Sequence, residues 1–330
     1  MTAKMRLAIV GCGDFLRWQA DAIRQSHLLE VCKLYDPREE AARRFAAQLG
    51  GEVVHDLDAI AEDSSIGLVA LFVPPWVRCE LFCRLARCGK HIITTKPLAP
   101  RIEEAEAIFR TVQETGIHSA VIYSRTGDAF VESLRELLQH GELGQLCLYR
   151  QDWIHAYPQW NRWAVDPKLN GGPFMDAMIH NLNAANYLMG RKITGSTLLS
   201  ENLAHPQLAC ADTELMTVRY ENGGLAHLFI TWAADLAVYS REGNDREHID
   251  LFYLVTDHGW RITRGQGNCA GKIVASRQGE NRTFPVREIS QTCYDGMVRY
   301  IRGESDFPPV LATVKEAMED IATICRSRRI

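Results

Sequence analysis

Long hydrophobic runs are missing from this 330-residue chain: the longest are strand-sized, and none approaches the length needed to span a bilayer. A basic excess is missing too. With 37 Lys and Arg against 41 Asp and Glu, the formal net charge is −4. A duplex-binding protein usually gathers a basic surplus on one face, so the balance argues against nucleic acid as a partner. Residues 1–6 lead into an apolar strand without a secretory apolar core and small-residue cleavage site. The expectation is a cytoplasmic enzyme with no membrane partner. The ten cysteines lack zinc spacing. Cys79, Cys83 and Cys88 form the only close group, and Cys79 and Cys83 fall one turn apart on an apolar helix face, where free thiols act as small hydrophobes. No metal is expected. There is also no internal repeat and no low-complexity linker.

What the chain does have, in its first third, is a strict alternation of short apolar strands with amphipathic helices. Strands are expected at 5–10, 30–36, 67–74, 90–95 and 117–123, with helices at 18–27, 38–50, 77–89 and 103–115. That rhythm is a parallel sheet covered by helices on both faces, with the uniformly apolar "LVALFV" near its centre. After "ELGQLCLYRQDW" (142–153) strand-like runs dominate, and Asn222-Gly223 between two alternating runs is a hairpin signal. Helices return near 294–302 and 311–326. The pattern predicts a doubly wound α/β domain over 1–122 and an α+β domain with an open, mainly antiparallel sheet over 123–330, the last helix packing back on the first domain.

The first strand runs into "GCGDFL". Gly11 makes the tight turn of a phosphate loop and Gly13 lets backbone approach a pyrophosphate, with Asp14 and Phe15 completing the turn. The third glycine of that loop, which permits close helix–strand packing, is replaced by Leu16. Asp36 ends the second strand, 23 residues after Gly13, where a carboxylate accepts both adenosine ribose hydroxyls and repels a 2′-phosphate. This favours NAD, while Arg38 offers a cation that keeps NADP open. The plainer reading of Asp36-Pro37 is a helix start.

Further along, "GKHIITTKPLAP" (89–100) and "VDPKLNGGPFMDAMIHNLN" (165–183) resemble the glucose–fructose oxidoreductase and inositol dehydrogenase family, Gfo/Idh/MocA. Gly89-Lys90-His91 and Lys96-Pro97 match its G-K-H and Glu-Lys-Pro motifs, and Asp176 and His180 its D-x-G-x-H segment. Val73-Pro74 matches its Thr-Pro turn, Arg125 its N-x-R segment, and "RYENGGLA" its hairpin. Thr95 stands in place of the motif glutamate, and Pro173 and Met178 in place of glycines. The resemblance implies a Rossmann fold for the first domain and a nicotinamide cofactor bordered by Gly11, Gly13, Asp14, Phe15, Asp36, Arg38, Val73, Pro74, Thr95, Lys96 and Pro97. It implies a polyol or sugar substrate and a homodimer or homotetramer formed through the second sheet. Lys96 would bind and polarise the reacting oxygen, His180 act as general acid/base and Asp176 orient the substrate and Lys96. By their own chemistry, as aromatic faces and an anion fork, Trp153, Trp163 and Arg125 are further candidates at the substrate. Related activities implied are an NAD-retaining hydrolase or eliminase, or a binding protein without turnover.

Residue chemistry alone leaves other readings open. Lys96-Pro97 also fits a surface turn, Asp176 and His180 a helix-face ion pair or two metal ligands with His155. The aromatic segment 152–163 serves equally as pocket wall, core or subunit contact, and Arg125 as an anion fork or a structural ion pair.

Overall fold

The computed structural model describes residues 3–124, 128–158, 162–234, 249–289 and 291–328. Two compact units emerge: Met1–Gly127 with Ile289–Met318, and Asp128–Glu288 with Glu319–Ile330.

The first unit alternates β1 (Met5–Val10), α1 (Asp14–Gln25), β2 (Leu29–Tyr35), α2 (Glu39–Leu49), β3 (Glu52–Val53), α3 (Asp58–Ala61), β4 (Leu68–Leu71), α4 (Pro75–Arg87), β5 (His91–Thr95), α5 (Ile102–Thr115) and β6 (Ser119–Ile122). The sheet order is β3-β2-β1-β4-β5-β6, with every pair parallel. Order reverses between β1 and β4, which opens the crevice where such sheets bind ligands. All four β4 residues are buried, so the strand with the most uniform apolar run does lie centrally. Lys90 is a structural staple: its side chain is buried and its ammonium donates to the carbonyls of Asp63 and Ile66.

The second unit holds α6 (Ala129–Gln139), β7 (Leu146–Ile154), a π-helical turn (Phe174–Met178), α7 (Ile179–Met189), β8 (Ile193–Glu201), β9 (Thr213–Tyr220), β10 (Leu225–Thr231), β11 (Ile249–Thr256), β12 (Arg261–Arg264), β13 (Lys272–Arg277) and β14 (Glu280–Pro285). Its sheet runs β14-β13-β12-β11-β7-β10-β9-β8, antiparallel apart from the β7–β10 pair. The Asn222-Gly223 turn joins β9 to β10, with Gly223 at φ 86°. One face buries Tyr149, Met216, Val218, Leu228 and Ile230, and α7 packs on β7 and β10. The other carries the cross-strand row Leu199, Leu215, Phe229, Asp152 and Leu251. Beside it runs Thr217, His227, Arg150 and Tyr253. The amphipathic helix α6, capped when Asp128 accepts the Phe130 N–H, is an element that strand-like patterning did not suggest.

The chain closes with α8 (Cys293–Ile301) and α9 (Val314–Ser327). Tyr294, Met297 and Val298 of α8 enter the same core as Leu7, Ile9, Ile23 and Ile93 of the first unit. Asp295 fixes this return by accepting from Ser26 Oγ and the Leu28 N–H. Among the described residues no helix is long and apolar enough to cross a membrane.

Candidate functional site

In the first unit the glycine turn meets the demands of a dinucleotide. Gly11 has φ 93°, and a Cβ there would stand 2.6 Å from the Phe72 carbonyl oxygen, so no side chain fits between β1 and β4. Gly13 is different: a Cβ on it meets nothing within 4 Å, leaving open space above the loop. Gly13 is also the N-cap of α1 and offers no side-chain cap, so the helix presents its first N–H groups and its positive end to that space. Leu16, at the third glycine position, is fully buried in the core with Leu7, Ile9 and Leu34. Burial of such a side chain contributes about 1.5–3 kcal/mol. The replacement therefore trades glycine packing for apolar packing beneath the helix and leaves the phosphate-facing backbone intact. Phe15 packs edge-on against Phe72, with ring centroids 5.0 Å apart.

Asp36 follows β2, and its Oδ2 accepts the Cys12 N–H at 2.8 Å, which draws the carboxylate to the rim of the glycine turn. Arg38 closes on it from outside through its N–H (2.9 Å) and Nε (3.3 Å), with its own side chain mostly exposed. Val73 is buried and Pro74 is the N-cap of α4. Thr95 is buried and its hydroxyl donates to the Ile122 carbonyl of β6, so the residue in the glutamate position is tied into the sheet. Lys96, half-buried, comes next, and the Lys96–Pro97 peptide is cis. Sequence reasoning missed Arg78. It lies in the first turns of α4, buried, and its guanidinium donates to the carbonyls of Val73 and Pro97. One side chain thus ties the turn after β4 to the turn after β5. Because both acceptors are backbone, no partner residue type signals this in the sequence.

In the second unit, Asp176 sits inside the π-helical turn and His180 in the first turn of α7, both half-buried. With i→i+5 bonding, residues four apart stay near one side, so the expected shared face survives a change of helix type. The turn is held from beneath. Gly171 and Gly172 take left-handed conformations, with φ 97° and 91°. Glu214, buried on β9, accepts the Phe174 N–H at 2.7 Å and Ser200 Oγ at 2.9 Å. Arg328 donates to the Gly171 carbonyl and to Glu214 Oε1. Burial pushes the Glu214 carboxyl above its ordinary value, and Arg328 with the Phe174 N–H pulls it back. Asn170, fully buried, donates to Asp176 Oδ1 at 2.9 Å. Sequence reasoning did not single out Asn170, Glu214 or Arg328. A readable sign existed only for Glu214, a charge at an inward position of the alternating strand "TELMTVRY".

Trp153 lies on β7, half-buried, on the side of Tyr149 and Gln151; Trp163 is half-buried in the turn after it. Tyr157 stacks edge-on against His205 at 4.7 Å. Trp160 and Arg125 lie outside the described residues. His155 has its N–H on the Thr231 carbonyl and its Nδ1 2.8 Å from the Ala156 oxygen. Among the described residues no three His, Cys, Asp or Glu side chains gather as metal ligands do.

A parallel six-stranded sheet with a glycine turn and an acid after the second strand defines the first unit as an NAD-binding Rossmann domain. Residues 5–123 match the oxidoreductase family described by that fold, and residues 131–243 match the GFO/IDH/MocA C-terminal domain. The chain belongs to the Gfo/Idh/MocA oxidoreductase family. It is 28% identical over 230 residues to scyllo-inositol 2-dehydrogenase (NAD(+)) of Bacillus subtilis, covering 68% of this chain and 66% of that one. Matches to this and other curated relatives span 56–67% of the relatives' length. The fold is shared with a putative NADPH-dependent oxidoreductase of Desulfitobacterium hafniense (TM-score 0.82, 14% identity, 98% of this chain and 94% of that one). It is also shared with the WlbA dehydrogenase of Bordetella pertussis, solved with NADH and UDP-GlcNAcA (TM-score 0.74, 19% identity, 98% and 96% covered).

Proposed function

We infer that this protein moves a hydride between NAD, with NADP as a second cofactor, and a hydroxyl-bearing carbon of a polyol, sugar or sugar derivative. The observation that carries the reading is the uncapped start of α1 above Gly13 with the Asp36 carboxylate drawn to its rim. The named activities of the relatives support the substrate class. When bound, the nicotinamide supplies the hydride acceptor. Asp36 accepts the ribose hydroxyls and disfavours a 2′-phosphate, while Gly13 and the α1 N–H groups hold the pyrophosphate. Lys96 polarises the substrate oxygen, His180 takes its proton, and Asp176 orients the substrate and Lys96, its own carboxylate accepting from Asn170.

The test strips retained nucleotide and titrates NADH and NADPH separately, followed by energy transfer from tryptophan. NADH is expected to bind more tightly, and Asp36→Ala to narrow the preference by about tenfold, the loss of a charge-assisted hydrogen-bond pair. A sugar and polyol panel read at 340 nm then tests turnover. Glycoside cleavage without net NADH would move the protein to the NAD-retaining hydrolases or eliminases, and cofactor binding with no turnover on any substrate to the binding proteins.

The outer face of the second sheet supports self-association. Leu199, Leu225, Ile249 and Leu251 stand 42–54% exposed there. A homodimer or homotetramer is expected in sedimentation at micromolar concentration, and a monomer would overturn it.

A further inference from the structure

Once Asp36 holds the adenosine ribose and α1 the pyrophosphate, the nicotinamide half of the dinucleotide extends past the switch point, over the ends of β4 and β5. In this chain that edge of the sheet is built from positive charge. Lys96 follows β5 directly. The N-terminus of α4 points there, and its first turn has no acidic residue to offset the helix dipole. Arg78 stands in the same helix, 2% exposed, with its guanidinium on the Val73 carbonyl at 2.6 Å and on the Pro97 carbonyl. Its Nε has no hydrogen-bond partner, and none of the described carboxylates pairs with it. Burial pulls its pKa down to about 9, which still leaves the group charged at neutral pH.

A buried charge without a counter-ion acts over a long range, because little water screens it. The two redox forms of the cofactor differ by one positive charge on the nicotinamide ring, which the oxidised form carries and the reduced form lacks. We propose that Arg78 biases the nicotinamide half of the site toward the reduced cofactor, so that this protein binds NADH more tightly than NAD+. On the protein this draws the bound equilibrium toward hydride uptake from the hydroxyl carbon, the hydroxyl proton passing to the base. The inference rests on the cofactor reading given above and concerns which redox state that site prefers.

The experiment measures dissociation constants for NADH, NAD+ and ADP-ribose with the full chain and with Arg78→Met and Arg78→Lys. ADP-ribose lacks the nicotinamide and reports the other half of the site. The unaltered protein is expected to prefer NADH over NAD+ by about tenfold or more, the effect of one weakly screened unit charge on another. Arg78→Met should narrow that ratio by about tenfold while ADP-ribose affinity changes by about twofold or less, and Arg78→Lys, whose ammonium burial draws toward neutrality, should keep part of the original ratio. A ratio unchanged in Arg78→Met, or equal weakening of all three ligands, would reduce Arg78 to a structural staple and overturn the proposal. Should Arg78→Met not fold, the unaltered protein decides, because NAD+ binding as tight as NADH in it overturns the proposal. Failure of the unaltered protein to bind any of the three would refute the cofactor reading itself, before any variant is made.

Discussion

Lys96→Ala is expected to lower kcat by about 10²–10⁴-fold, the usual contribution of a positioned proton-transfer or polarising group. NADH affinity should change far less, because the glycine turn and Asp36 are untouched. The expectation comes from how firmly Lys96 is set. Its N–H donates to the Ile122 carbonyl at 3.3 Å, and the Pro97 carbonyl that follows is held by Arg78. Pro97, Leu98 and Ala99 beyond it are buried. His180→Ala should give a loss of similar size and should also remove the acid limb that a general base imposes on the kcat/KM profile. Steady-state kinetics on the best substrate of the panel, with pH profiles for both variants, makes the comparison. If His180→Ala kept most of its kcat while Lys96→Ala lost it, Lys96 would be the base. If both variants kept their turnover, neither residue would perform the chemistry.

Asp320→Ala is expected to destabilise the protein by about 3–5 kcal/mol, the cost of breaking a buried charge pair from one side. Asp320, fully buried on α9, is the acceptor for three side chains: Asn183 at 2.6 Å, Asn186 at 2.8 Å and Arg191 at 3.2 Å. Tyr220 of β9 donates in turn to Asn186 at 2.7 Å, so the network joins α7, α9 and the sheet. Alanine removes the carboxylate that these three side chains share and leaves the two buried amides without their acceptor. At about 2–4 °C per kcal/mol for a domain of this size, the melting temperature should fall by roughly 10 °C or more. Asp320→Asn, which keeps one acceptor, should lose less. Calorimetric or urea melts of the two variants test this, and equal stability of Asp320→Ala and the unaltered protein would show that the network is satisfied without its anion.

Much of the fold was legible because its signals are local. Gly11 needs a positive φ wherever it is placed, "LVALFV" is apolar on both faces, and Asn222-Gly223 turns a hairpin on its own. Helix α6 was not legible, since its cap and amphipathic face lie in a stretch surrounded by strand patterning. The allocation of α8 to the first unit was not legible either: Tyr294, Met297 and Val298 form an apolar helix face that would suit any core. Leu16 and Thr95 read in the sequence as defects of a cofactor site. In the structure Leu16 fills the core beneath α1 and Thr95 bonds to β6, and the phosphate-facing backbone does not depend on either.

The sequence by itself determined the kind of chemistry available here: a glycine turn ahead of a helix, an acid one strand later, and a lysine, an aspartate and a histidine in recognisable motifs. Those depend on residue type and short spacing, which the chain carries without folding. Only the tertiary structure decided how these groups are held. Arg78 reaches across 19 residues to the Pro97 carbonyl, Glu214 across 40 to the Phe174 N–H, and Asp320 across 137 to Asn183. Each is a buried polar group whose partner is set by packing, and two of those three partners are backbone atoms that carry no side-chain identity. No pattern of side chains along the chain can announce them.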